Sequence, residues 1–243
     1  MVDYCCCIFY FSKRGFQDMT KQKTQFHFSV NVLRIPFMML FLIWALYWVE
    51  IKFHFNFTKY GIFPRRVSGL QGVVFGPFIH GSAKHLFNNS FPMVIFVGML
   101  FYFYRQLAKK VLLFGFFTTG LLTWCIGVSA YHIGMSGLVY MLFSFLFFSG
   151  VLRKYYRLIA VSLVVIFMYG SMVWYLFPVE KGISWEGHVS GFITGLFLAG
   201  YYRKKGPQKL PYEFVKNEFD TWFDDQGNFN PPKEVNEATS ENL

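Results

Sequence analysis

The chain has 243 residues, 54% hydrophobic, 22% aromatic and only 15% charged, with a formal net charge of +10. So much apolar surface argues against a soluble domain and for a membrane protein with several spans. Residues 1–205 carry 20 Lys/Arg against 5 Asp/Glu, clumped at the ends of apolar runs. Anchoring to anionic lipid accounts for this excess, and nucleic-acid binding does not.

Read from the N-terminus, the first apolar run, Cys5 to Phe11, is too short for a signal peptide, and its basic pair Lys13-Arg14 follows it. Cys5, Cys6 and Cys7 are adjacent and Cys125 lies in an apolar run, so neither a disulfide framework nor a zinc-type spacing is present. The triple cysteine suits lipidation; an over-extended start, with Met19 as the true beginning, is the favoured reading. Six apolar runs follow, at 35–53, 86–104, 111–128, 137–152, 158–177 and 189–202. Each has a length suited to a helix that crosses, or nearly crosses, a bilayer core.

With the N-terminus inside, 17 of the 23 Lys/Arg fall on the cytoplasmic side, which predicts both termini in. The expected organisation is an N-terminal cytoplasmic segment at 1–34, a six-helix membrane domain at 35–202 and a cytoplasmic tail at 203–243. The outside loop at 54–84 holds Gly61, Pro64, Gly72, Pro77 and Gly81 among its residues, with many aromatics. It is either functional and partly inserted, or an ordinary extracellular connector. In the tail, Phe214, Val215, Phe219, Trp222 and Phe223 suit one short amphipathic helix, and from Pro231 onward the composition is that of a disordered end.

With this topology the second, fourth and sixth helices all begin on the outer face, and each carries unusual polar residues there. These are His85 and Asn89, then Ser136, then His188. Asn89 lies 16 residues before Arg105, Ser136 lies 17 before Arg153, and His188 lies 15 before Arg203. At about 1.5 Å per residue, all three sit roughly 4–8 Å below the outer edge of a core about 30 Å thick. Polar groups at such depth are costly and mark function.

Spacing sharpens the picture. His188, Gly191, Gly195 and Ala199 share a face, a small-residue stripe that lets a neighbouring helix approach closely. Ser136 and Tyr140 share a face one turn apart. If the two faces pack together, the serine hydroxyl meets the imidazole, the minimum for an activated nucleophile. The Ser136 backbone N–H at the helix start, with the side chains of Asn89 and His85, would serve an oxyanion. No Asp or Glu lies within a helix to complete a triad, and Glu186 is expected to face the loop, so the pattern predicts a dyad. Taken singly, a serine, histidine or asparagine in a membrane helix is usually packing or glue, and GxxxG is weak. Their convergence at one depth outweighs those accounts. Gly134-Met135-Ser136-Gly137-Leu138 fails the G-x-S-x-G elbow of soluble hydrolases.

These residues resemble the motifs of the rhomboid family of intramembrane serine proteases over about residues 60–200. Gly134-Met135-Ser136-Gly137 matches the family's G-x-S-G, His188-Val189-Ser190-Gly191 with Gly195 its H-x-x-G-x-x-x-G, and His85 to Asn89 its H-x-x-x-N. His80 matches a further common histidine. The resemblance implies an all-α membrane protein, a six-transmembrane-helix rhomboid-like bundle of the minimal bacterial type, in the inner membrane. It implies Ser136 as nucleophile, His188 as general base and His85, Asn89 and the Ser136 amide as oxyanion hole. Gly134 would allow the close backbone there, and Tyr140 would stack on the imidazole. The implied partners are transmembrane protein substrates, often single-pass, and the lipid bilayer, with no metal and no organic cofactor. Substrates would be cut near the outer end of a helix, after a small residue.

Three departures are open. The Trp-Arg pair that many members carry in the first loop is not evident, and whether Arg65-Arg66 substitutes is undecided. Spacing favours Asn89 over Asn88 as the inward amide. His132, four residues before Ser136, is outside the pattern and reads as a loop polar group. The rival from another class is a non-catalytic rhomboid-like protein that binds transmembrane helices for trafficking or quality control. Such relatives usually lack the serine or the histidine, and both are present here. A transporter is disfavoured by the lack of buried carboxylates and of broken-helix repeats.

Overall fold

A computed structural model describes residues 28–168, 174–179, 182–206, 208 and 219–230. The Cys5–Cys7 run, Met19, Lys181, Phe214, Val215 and the segment from Pro231 lie outside the described residues. Residues 1–209 form one compact unit and 210–243 another. Within the described residues there are seven α-helices and no strand: α1 Asn31–Lys52, α2 Gln71–Phe75, α3 Ala83–Phe103, α4 Ala108–Ile126, α5 Ser136–Leu152, α6 Tyr156–Met168 and α7 Trp185–Tyr201. Of these, α1, α3 and α4 are long and apolar enough to cross a membrane on their own; α5 and α6 are shorter apolar helices.

Burial separates an inner helix from an outer layer. In α5 every residue from Leu138 to Leu146 is buried, so neighbours surround it on all sides. In α1 only Val32, Pro36 and Ile43 are buried, while Phe41 and Trp48 on the same helix are 75% and 60% exposed. An apolar helix with an apolar outer face fits a lipid surround and not water. Pro92 lies inside α3, where it removes one helical N–H donor. Neighbouring helices make such a break tolerable in lipid.

Two ends of the bundle are fixed by different means. At one end Arg153, just past α5, donates from Nη2 to the carbonyls of Tyr202 at 2.6 Å and Lys205 at 2.7 Å, and from Nη1 to Ser149 O at 3.2 Å. Its guanidinium also lies 5.4 Å from the centre of the Tyr104 ring. The C-termini of α3, α5 and α7 therefore meet around one buried cation, which satisfies carbonyls that helix ends leave open.

The other end is organised by the loop after α1. This loop is built of short helical turns, Thr58–Tyr60, Val67–Leu70, α2 and Gly76–Phe78, and it is more than a connector. Ile62 and His132 exchange backbone hydrogen bonds of 3.0 and 2.8 Å, and Gly134 N donates to Gly76 O at 2.9 Å. The residues that lead into α5 are thus pinned to the first loop. Arg65 of that loop reaches the end of α4. Its Nη1 donates to Gly127 O at 2.8 Å and Cys125 O at 3.4 Å, so it closes the C-terminus of α4.

Two helical expectations change. The run 158–177 is not α-helical throughout: its described part is α6, up to Met168, and then a 3₁₀ turn at Trp174–Leu176. Pro178 follows that turn and disfavours helical geometry at Phe177. In the tail, Phe219–Trp222 is a single 3₁₀ turn, and Phe223 pairs with Phe229 across a tight turn instead of extending a helix. Asp224 forces that turn by accepting from the backbone of Gln226 and Asn228 at 2.9 and 2.8 Å.

Candidate active site

Ser136 is the first residue of α5, and its backbone N–H is one of the amides that a helix start leaves without an intrahelical partner. His188 lies in the first turn of α7, which Ser184 caps by accepting from Gly187 N at 3.3 Å. Ser136 Oγ and His188 Nε2 are 2.9 Å apart. On its other nitrogen, His188 Nδ1 lies 2.8 Å from the carbonyl of Tyr175. A carbonyl only accepts, so Nδ1 carries the proton and the Nε2 lone pair faces the serine hydroxyl.

The Tyr140 ring stacks on the imidazole at 4.3 Å between centres and 16° between planes. The approach of α7 to α5 rests on Gly191 and Gly195. A methyl on Gly191 would overlap the carbonyl oxygen of Gly137, and one on Gly195 that of Met141. Backbone therefore lies against backbone, which carries His188 to within reach of Ser136.

On the opposite side of the serine, Asn89 is buried and Asn88 exposed, so Asn89 is the inward amide. Its Nδ2 donates to His85 O at 3.2 Å, and the second amide hydrogen remains for another acceptor. Gly134 adopts φ +102, and a Cβ there would lie 2.5 Å from His85 Cε1 and 2.6 Å from Nε2. Only glycine fits this left-handed position against the ring. The His80 ring lies 5.1 Å from that of His85, edge to face, with Nδ1 3.3 Å from Phe78 O. Burial in the loop lowers the His80 pKa from 6.5 to about 4, so the ring is neutral at ordinary pH. A cavity of about 40 Å³ opens beside Ser136, lined by Thr119, Thr123, Gly134, Gly137, Gly76 and Pro77 among others. That volume is enough to admit water.

All eight residues singled out in the sequence, Ser136, His188, His85, Asn89, Gly134, Tyr140, Gly191 and Gly195, belong to this one region. For two neighbours the structure adds what the sequence left out. His132, in the loop before α5, is buried and bridges Ser184 Oγ at 2.5 Å and Val128 O at 3.0 Å. Glu186 does face the loop, toward Val128 N at 3.4 Å, yet it is only 2% exposed. The Tyr175 carbonyl was invisible in the sequence, because every residue carries one and only the 3₁₀ turn selects it.

A helical bundle with a serine–histidine contact at the N-terminal end of its central helix defines a class of membrane protein. A family model, the Rhomboid domain, matches residues 67–205. The chain is a membrane protein of the rhomboid family. Its relatives include uncharacterized proteins of Mycobacterium tuberculosis and Mycobacterium bovis, each 32% identical over 160 residues, 61% of this chain and 65% of theirs. An uncharacterized protein of Mycobacterium leprae is 31% identical over 155 residues, 58% of each chain. The matched region thus spans a little under two thirds of these relatives.

Proposed function

We propose that this chain is an intramembrane serine endopeptidase that cleaves transmembrane segments of other membrane proteins. The observation that carries the proposal is the 2.9 Å contact of Ser136 Oγ with His188 Nε2, on a histidine whose Nδ1 is held by Tyr175 O. As Ser136 Oγ attacks the scissile carbonyl, its proton passes to Nε2. The imidazolium then gives that proton to the leaving amine, which departs as the acyl-enzyme forms. Water attacks the ester, gives a proton to Nε2, and the serine regains its hydrogen as the acid leaves. The Ser136 N–H, the free amide hydrogen of Asn89 and the His85 ring stabilise the oxyanion in both halves. A dyad suffices because a backbone carbonyl takes the orienting role of a third carboxylate. The chemistry calls for no metal and no organic cofactor.

In this reading α1 and α3 to α7 are the six spans, both termini are cytoplasmic, and the membrane is a bacterial inner membrane. The Ser136 end faces outward, and water enters through the cavity lined by Thr119 and Thr123. Substrates, single-pass proteins above all, arrive sideways through lipid past α6 and the first loop, and no nucleic acid takes part. The test is cleavage of a tagged transmembrane substrate by the purified protein in detergent, with labelling by a fluorophosphonate. Cleavage and labelling should both vanish in Ser136→Ala. Cleavage that survives this substitution would rule the mechanism out. Folded parent that is never labelled at Ser136 would favour a helix-binding protein without catalysis.

A further inference from the structure

The Ser136 to His188 contact joins two segments that are distant in sequence, the loop 127–135 with the first residue of α5 that follows it, and the first turn of α7. A closed ring of hydrogen bonds ties the same two segments together a second time. Gly187 N–H donates to Ser184 Oγ at 3.3 Å, and the Ser184 hydroxyl lies 2.5 Å from His132 Nδ1. His132 Nε2 lies 3.0 Å from Val128 O, and Val128 N–H donates to Glu186 Oε1 at 3.4 Å. Glu186 precedes Gly187 in the chain, so the ring closes.

The directions of donation are determined. Val128 O can only accept, so His132 carries its proton on Nε2 and accepts the Ser184 hydroxyl on Nδ1. Ser184 Oγ is then free to accept from Gly187. Each donor feeds the next, an arrangement in which the bonds polarise and strengthen one another. Both side chains are buried, His132 at 6% exposure and Glu186 at 2%. Buried polar groups are costly unless satisfied, and a carboxylate in the first turn of a helix is favoured by its dipole. Among the described residues neither His132 nor Glu186 hydrogen-bonds Ser136 or His188. Their placement is what matters. His132 lies four residues before Ser136, and Ser184 and Glu186 lie four and two before His188.

We propose that Ser184, His132 and Glu186 are positioning residues whose ring through Val128 sets the separation of Ser136 from His188. The proposal rests on the hydrolytic reading above. The ring acts on the rate of attack by Ser136 and not on substrate affinity, because it fixes the two reacting segments relative to each other. A misplacement of about 1 Å between reacting groups costs on the order of 100-fold in rate.

The experiment uses the full chain in detergent, with its thermal midpoint measured for every variant. Ser184→Ala and Glu186→Ala should each slow fluorophosphonate labelling of Ser136, and kcat for a transmembrane substrate, by roughly 10- to 100-fold. KM should stay within about twofold, and Ser184→Thr and Glu186→Gln, which keep the acceptor, within about threefold of parental rates. The double variant should be no slower than the worse single one, as members of one unit are non-additive. Should Glu186→Ala not fold, Glu186→Asp, one methylene too short to reach Val128, carries the same expectation. Folded alanine variants that label and cleave at the parental rate would overturn the proposal. So would a raised KM at unchanged kcat, or conservative variants as impaired as the alanines. Parent protein without any labelling at Ser136 removes the hydrolytic reading itself, and the ring's catalytic role with it.

Discussion

Gly191 offers the sharpest test of how the two helices meet. In Gly191→Ala the new methyl overlaps Gly137 O and also lies 2.9 Å from Gly137 C and 3.1 Å from Met141 N. These are backbone atoms of α5, so no side chain can swing aside. Carbon and carbonyl oxygen settle at roughly 3.3 Å, which requires the helices to part by about 1 Å. The same displacement stretches the 2.9 Å contact of Ser136 with His188 past hydrogen-bonding range. Overpacking of this kind costs about 1–3 kcal/mol in stability, and the misplacement about 100-fold in rate. Substrate cleavage and fluorophosphonate labelling should therefore fall together, with a thermal midpoint lowered by several degrees. Folded Gly191→Ala protein that keeps its activity within threefold of parent would refute the close-approach argument.

Two further outcomes follow from the flanks of the site. His80 has a folded pKa of about 4 against 6.5 for the free side chain, so the unfolded chain takes up the proton first as pH falls. Its contribution is complete above pH 6.5, declines below it by about 2 kcal/mol at pH 5, and levels off under pH 4. The thermal midpoint of His80→Gln should depend less on pH than that of the parent between pH 7 and 4.5, and parallel curves would contradict the assignment. At the basic end, Arg153→Leu removes the donor to Ser149 O, Tyr202 O and Lys205 O. A loss of about 2–4 kcal/mol is expected in detergent unfolding. Arg153→Lys should not restore it, since one ammonium cannot reproduce the fork.

Much of the site was legible in the chain itself. Residue counts from Arg105, Arg153 and Arg203 singled out Asn89, Ser136 and His188 together, because a helix converts sequence spacing into distance at a fixed rise, and Ser136 and His188 do meet. Small residues at 191 and 195 marked the contact face for the same reason. The first loop was undecided, since its pairing through Ile62, Gly76 and Arg65 depends on partners more than fifty residues away. His132 was legible only as a loop polar group, because a polar residue in a loop looks alike whether it meets water or a buried hydroxyl. The end of the run at 158–177 was misread because hydropathy does not distinguish a helix from the 3₁₀ turn that offers Tyr175 O.

The sequence by itself determined that this is a helical membrane protein, and which helix faces are small. Hydropathy and helical periodicity are local properties, and they survive without coordinates. Only the tertiary structure decided that His188 is oriented by a carbonyl and that His132 and Glu186 brace the first turn of α7. These depend on backbone atoms and on pairings between distant segments, which carry no signature in residue type.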